Sequence, residues 1–160
     1  MISSALIGLG SNLNQPIQQL NTAVQSLSEQ PDIQVKRCSS YYQSLPQGPQ
    51  DQDLFVNAVI SIETTLAPNS LLNKLQAIEA QQGKVKVRHW GERCIDLDIL
   101  FIDQITLNEP KLIIPHPQAL TRDFVVIPSL EIEPEWRLPN GDKLHRYLDS
   151  CAKHDLRILP

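Results

Sequence analysis

Across roughly the first hundred residues the apolar pattern switches between strand-like and helix-like period in the order strand, helix, strand, strand, helix, strand. That order restricts the fold more than any other feature, because it is the β-α-β-β-α-β sequence of a ferredoxin-like α+β domain, an antiparallel sheet covered by helices. Residues 4–9 are a short apolar run ending in Gly8-Leu9-Gly10-Ser11-Asn12, where the glycines read as turn residues. Ile17, Leu20, Val24 and Leu27 then repeat at helical spacing behind Pro16, a residue suited to a first helical turn. Residues 33–44 are β-rich, residues 55–62 alternate, and between them lies the polar loop 45–53. A second helix follows Pro68 with Leu71, Leu72, Leu75 and Ile78 on one stripe, and Gly83 is placed to end it at C′. Residues 94–102 form the strongest strand. Beyond 103 come short apolar runs, a break at Pro115-His116-Pro117, an apolar run over 124–127, a turn at 139–141 and a final helix carrying Leu144, Tyr147 and Leu148. These read as a C-terminal extension packed on the same core, so residues 1–160 are expected to form a single domain.

Composition narrows the class of function. Hydrophobic residues are 41% and charged residues 20%, the balance of a globular chain, and the net charge of −4 opposes general affinity for nucleic acid or an acidic membrane surface. Cys38, Cys94 and Cys151 are odd in number and widely spaced, which indicates neither a disulfide framework nor a zinc cluster. No run approaches the roughly 18 apolar residues of a membrane span, and no basic segment precedes an apolar one at the start. The expectation is a cytoplasmic monomer with no nucleic-acid or membrane partner.

The chemistry concentrates in Arg93-Cys94-Ile95-Asp96-Leu97-Asp98-Ile99. In a strand, Asp96 and Asp98 share one face while Ile95, Leu97, Ile99 and Phe101 take the other. Two carboxylates about 7 Å apart along a strand offer hard oxygen ligands to a cation such as Mg²⁺. A half-exposed strand with a polar face is the plainer account, but like charges side by side on one face are unfavourable without a compensating cation. Just upstream, residues 84–93 hold Lys84, Lys86, Arg88 and Arg93 against the single acid Glu92. Cations beside paired carboxylates suit a metal-bound polyphosphate, which makes phosphoryl-type transfer the leading chemistry. Gly8-Leu9-Gly10 lacks the third glycine of a dinucleotide fingerprint, and no P-loop motif occurs. His116 is either an anion contact and proton carrier or a structural residue of a proline-bounded turn, while His145 and His154 read as ordinary surface residues. Phe55 and Asn57 share a strand face, an aromatic plane beside an amide able to read a heterocycle edge.

Gly10-Ser11-Asn12-Leu13, Ser40-Tyr41-Tyr42, Gly48-Pro49-Gln50-Asp51-Gln52, Phe55-Val56-Asn57-Ala58, Gln81-Gln82-Gly83, the run from Trp90 to Ile99 and Pro115-His116-Pro117 together resemble 6-hydroxymethyl-7,8-dihydropterin pyrophosphokinase, an enzyme of folate biosynthesis. The resemblance runs in order over residues 4–134. It implies transfer of the β,γ-diphosphate of ATP to the pterin hydroxymethyl oxygen with release of AMP, ATP being the co-substrate. It further implies two Mg²⁺ ions on Asp96 and Asp98, with Arg93 and Lys84 acting in catalysis. The pterin would lie between Phe55 and Phe124, bonded by Asn57 and lined by backbone near Ser44, Leu45 and Gln47. Glu79, Lys84, Lys86, Arg88, Trp90, Arg93, His116 and Arg122 would serve ATP, with the loops at 45–53 and 83–92 closing over both substrates. The chain departs from the family at Lys84 and Lys86, where Arg is common and supplies a planar fork in place of a point charge, and at Glu92, where Pro is common. Rival readings are another Mg²⁺-dependent phosphoryl or nucleotidyl transferase, and a non-catalytic nucleotide-sensing module of the same fold.

Overall fold

The structure, a computed structural model, describes residues 1–13, 15–46, 51–83 and 94–160. Lys84, Lys86, Arg88, Trp90, Arg93 and Gln47 lie outside the described residues, with most of the loop 83–92 and the middle of the loop 45–53.

The six expected elements are present in the expected order. They are β1 (Ser3–Ser11), α1 (Pro16–Ser28), β2 (Ile33–Cys38) and β3 (Tyr42–Ser44) in place of one long strand, β4 (Phe55–Thr64), α2 (Pro68–Gln81) and β5 (Asp96–Ile102). Both helices start on a proline, whose fixed φ suits a first turn. After α2, Gly83 follows the Gln82 cap with φ +75°, the left-handed turn that glycine takes most readily. The strands lie in the order β5-β1-β4-β3, with β2 also on β4 beyond the break at Ser39, and every pairing among them is antiparallel. This is the ferredoxin-like order. Gly8 and Gly10 are not turn residues: both sit within β1 and pair on both sides.

One face of the sheet is fully covered. Leu20, Ala23 and Leu27 of α1 and Leu71, Leu75 and Ile78 of α2 pack on Ile7, Leu9, Ala58, Ile60, Leu97 and Ile99, all buried. Each of these leucines and isoleucines contributes roughly 1.5–3 kcal/mol by leaving water. Ile17, expected on the buried stripe of α1, is instead 49% exposed.

The other face is covered over part of its length by the chain beyond β5. A hairpin of β6 (Leu107–Glu109) and β7 (Leu112–Ile114) leads into α3 (Asp123–Ile132), and later a short β8 (Arg157–Ile158) joins the edge of β3. Val125, Val126 and Ile132 of α3 pack with Leu138 and Leu144 on Leu6, Val59, Leu100 and Phe101. Phe101 thus departs from the expected alternation. Leu6 pairs with Phe101 and Ile7 with Ile99, so Leu100 is an extra residue that turns Phe101 onto the second face. The tail helix is a 3₁₀ stretch over Leu144–Ser150, with Leu148 exposed. Arg37 donates to the carbonyl of Ile132 at 2.8 Å and Tyr42 to Glu131 at 2.5 Å, which fixes the far end of α3 over β2 and β3. Burial, followed by the bond to Glu131 and its charge, pushes the Tyr42 phenol well above its ordinary value, so it stays a donor.

Candidate active site

On the second face, beyond the edge of α3, the strands present polar residues and no side chain at all on β1. Gly10 pairs with Asp96 on one side and with Asn57 on the other, Asn57 pairs with Tyr42, and Gly8 pairs with Asp98. Residues directly opposite in an antiparallel ladder point to the same face. Asp96, Gly10, Asn57 and Tyr42 therefore form one row across the sheet, with Asp98 and Gly8 in a parallel row. A Cβ on Gly10 would stand 3.2 Å from Oδ1 of Asn57, so the glycine keeps the space beside that amide open. Asn57 is buried, and its Nδ2 donates to the Ser44 hydroxyl at 2.5 Å, which orients the amide and leaves Oδ1 toward Gly10. Phe55, paired with Ser44, is half-buried on the same face.

The carboxylate pair is held by its strand. β5 is an edge strand, and the N–H of Leu97, between the two aspartates, donates to Glu79 Oε2 of α2 at 2.7 Å. Glu79, expected at the ATP site, is 6% exposed and through this bond braces the segment carrying Asp96 and Asp98. Asp96 is half-buried and Asp98 exposed. Past the aspartates, the N–H of His116 donates to the carbonyl of Leu100 at 2.9 Å, which ties the proline-bounded turn to the same strand. Nδ1 of His116 accepts from the N–H of Gln118 at 3.2 Å, so in the neutral ring the proton sits on Nε2. Burial, aided by the charge of Arg122, lowers the His116 pKa from 6.5 to about 4, and the ring is neutral at working pH.

Arg122 stands at the entry to α3. Its Cζ lies 5.5 Å from the centroid of the Phe124 ring, and its guanidinium donates to Gln118 Oε1. Burial lowers its pKa while Asp98 and Asp96 act in the opposite sense, so this cation is within electrostatic reach of the carboxylate pair. Arg122 thereby links Phe124, His116 and the two aspartates. Leu45 is 42% exposed, and its N–H donates to the carbonyl of His154 at 2.9 Å.

Three features escaped the sequence. Ser44 contributes a hydroxyl to Asn57, beyond the expected backbone lining. Asn12, 1% exposed, donates to Gln52 Oε1 at 2.9 Å and to the carbonyl of Asp53 at 3.1 Å, tying the foot of the 45–53 loop to the end of β1. His154 is not an ordinary surface residue: its side chain is 12% exposed and Nδ1 lies 2.8 Å from Asp123 Oδ1. All three join residues far apart in the chain, across 13 positions for Ser44 and Asn57, 31 for Asp123 and His154 and 40 for Asn12 and Gln52; only the asparagine after Gly10-Ser11 gave a local signal.

Among the described residues no group of three or more His, Cys, Asp or Glu side chains is placed to hold a metal ion. Two adjacent carboxylates alone suit an octahedral hard cation that keeps water and phosphate oxygens as its remaining ligands, so the donor set fits Mg²⁺.

A family model described as 7,8-dihydro-6-hydroxymethylpterin-pyrophosphokinase matches residues 6–134. The chain belongs to this family. It is a pyrophosphokinase of folate biosynthesis, using ATP as co-substrate. Among its relatives, the 2-amino-4-hydroxy-6-hydroxymethyldihydropteridine pyrophosphokinase of Haemophilus influenzae is 43% identical over 153 residues, covering 96% of each chain. The enzyme of the same name from Pseudomonas aeruginosa is 40% identical and covers 100% of this chain and 99% of its own. A solved Plasmodium falciparum HPPK-DHPS chain shares the fold with a TM-score of 0.73 at 14% identity, over 93% of the pyrophosphokinase and 42% of the solved chain. No described helix of the pyrophosphokinase is long and apolar enough to cross a membrane.

Proposed function

We propose that the pyrophosphokinase transfers the β,γ-diphosphate of ATP to the hydroxymethyl group of 6-hydroxymethyl-7,8-dihydropterin on the open half of the second sheet face, as a single cytoplasmic domain acting as a monomer. The hydroxymethyl oxygen forms a bond to the β-phosphorus as the bond from that phosphorus to the α,β-bridging oxygen breaks, and AMP leaves with the bridging oxygen. The hydroxyl proton passes to solvent or to phosphate. No covalent enzyme intermediate is needed.

The observation that supports this reading is the bare stretch of β1 between Asp96 and Asn57, where Gly10 puts no side chain between the carboxylates and the amide. On the Asn57 side, the fixed amide reads the pterin edge, with Phe55 and Phe124 as stacking planes. On the Asp96 and Asp98 side, the carboxylates would hold two Mg²⁺ ions, which would supply charge neutralisation for the phosphates and the departing oxygen. Arg122, held among Phe124, Gln118 and the aspartates, pairs with phosphate, and His116 offers Nε2–H as a neutral donor. Lys84, Lys86, Arg88, Arg93 and Trp90 complete the ATP side in this proposal, with Arg93 and Lys84 stabilising the transferred group. Holding the acceptor oxygen in line accounts for much of the catalysis.

Incubation with ATP, Mg²⁺ and the pterin, followed by resolution of the nucleotides, tests the assignment. AMP in equal amount to the pterin diphosphate is the expected result. ADP would identify a simple kinase and inorganic pyrophosphate a nucleotidyl transferase.

A further inference from the structure

The segment after Cys151 touches two parts of the proposed pterin slot. The N–H of Ala152 donates to the carbonyl of Thr121 at 2.9 Å, which lays the segment along the chain entering α3. The N–H of His154 donates to Asp123 Oδ2 at 2.8 Å, and ring Nδ1 lies 2.8 Å from Asp123 Oδ1, so one residue occupies both oxygens of a carboxylate whose side chain is 8% exposed. Because a carboxylate only accepts, Nδ1 carries the proton and donates. The imidazole so fixed meets Phe124 in a T-shaped contact, with centroids 5.1 Å apart and planes at 81°. The carbonyl of the same residue takes the N–H of Leu45 at 2.9 Å. Further on, Arg157 and Ile158 pair with Gln43 and Tyr42, one strand from Asn57.

We propose that His154 is a positioning residue for the pterin. Its imidazole sets the Phe124 ring and its carbonyl sets the turn at Leu45, so one residue holds two walls of the slot in fixed relation. This inference rests on the reading that the pterin lies between Phe55 and Phe124. The physical basis is pre-organisation: a half-buried phenylalanine in the first turn of a helix has several rotamers, and a ring packed edge to face against an immobilised imidazole has fewer. The effect is directed at the pterin because Phe124 and Leu45 belong to its side of the site.

Separate titrations with 6-hydroxymethyl-7,8-dihydropterin and with a non-hydrolysable ATP analogue test the proposal. A slot whose walls are ordered about a tenth of the time binds about tenfold more weakly, and that loss is expected for the pterin in His154→Ala, with ATP-analogue binding changed less than about twofold. His154→Asn keeps a donor for Asp123 but lacks the ring against Phe124, and an intermediate loss of about threefold is expected, again for the pterin alone. In turnover, the pterin KM rises in both variants while kcat at saturating pterin stays within about twofold. Wild-type pterin affinity in either variant, or equal losses for both ligands, overturns the proposal, and His154→Asn decides it if His154→Ala does not fold. Phe124→Ala in the same titrations separates the two levels. Wild-type pterin affinity in Phe124→Ala sinks the slot itself, whereas a loss there with none in the His154 variants sinks only the positioning role.

Discussion

The two faces of the sheet are built from alternate residues of the same strands, yet one is a closed core and the other is half a core and half an open polar surface. On β5, Leu97 and Ile99 face α1 and α2, while Asp96 and Asp98 between and beside them face the opposite way. On β1, Ile7 and Leu9 are buried, and Gly8 and Gly10 lie opposite the aspartates. On β4, Val56, Ala58 and Ile60 are buried in the first core, and Asn57 belongs to the second face. The difference teaches that stability and chemistry are separated here by the period-two alternation of a strand, so neighbouring substitutions on one strand have opposite consequences.

The largest expected effect breaks that comparison at adjacent positions. Asp96→Ala and Asp98→Ala each remove a proposed ligand for Mg²⁺, and turnover is expected to fall roughly a thousandfold or more, the size of several kcal/mol of lost charge stabilisation. Neither side chain is part of a core, so Tm is expected to stay within about 2 °C of wild type. Leu97→Ala is expected to do the reverse, costing about 2–5 kcal/mol of stability through a cavity while the folded fraction still turns over. Melts and rates on the three proteins decide it. Aspartate variants that are active, or that unfold at assay temperature, would remove the aspartates from the site.

Within the open face, Phe55→Ala tests the stacking plane. Pterin binding is expected to weaken by about 1–3 kcal/mol, a loss of the size measured for base and aromatic pairs, with ATP affected much less. Equal losses for both ligands would make Phe55 a core residue. Gly10→Ala sharpens the same boundary, because its Cβ would press on Asn57 Oδ1 at 3.2 Å. Displacing one hydrogen-bonded amide is expected to cost the pterin about 1 kcal/mol. Gly8→Ala is the control: the three atoms nearest its Cβ would all belong to the Leu100 side chain, at 3.4–3.5 Å, ordinary contact.

The first face was legible because its signals are local. The helical stripes behind Pro16 and Pro68 and the alternation of β1, β4 and β5 each sit within one element, and so does the placement of Asp96 with Asp98 and of Phe55 with Asn57. The second face was less legible because its structure comes from long-range contacts. α3 is apolar on nearly all sides and contains Pro128, so it shows no 3.6-residue stripe and reads only as an apolar run. The extra residue at Leu100 is a property of pairing with β1, and without that register Phe101 reads as part of the first core. Asn57 and Ser44, and Asp123 and His154, meet across 13 and 31 positions of chain. Glu79 bonds to Leu97 only because β5 is an edge strand with an N–H to satisfy.

The smallest expected effect concerns His116, which sits at the border of the two halves of the second face, bonded through its N–H to Leu100 and placed near Arg122. Burial and the Arg122 charge take its pKa from 6.5 down to about 4, so the fold holds the ring neutral where the unfolded chain would protonate it. The unfolded state therefore binds more protons between those two values, and the stability that His116 contributes is complete above pH 6.5 and is lost as pH falls toward 4. His116→Gln, which keeps an amide donor and does not titrate, is expected to melt with a shallower dependence on pH across that window than wild type. Carboxylates titrate in both proteins and cancel in the comparison. From pH 6.5 to 8 the ring stays a neutral donor, so kcat/KM is expected to show no inflection from this residue, and His116→Gln is expected to leave the shape of the profile unchanged. Parallel melting curves from pH 6.5 to 4 would mean that the imidazole takes up its proton as freely folded as unfolded, and an inflection near neutrality that vanishes in His116→Gln would make it a titrating acid or base instead of a fixed donor.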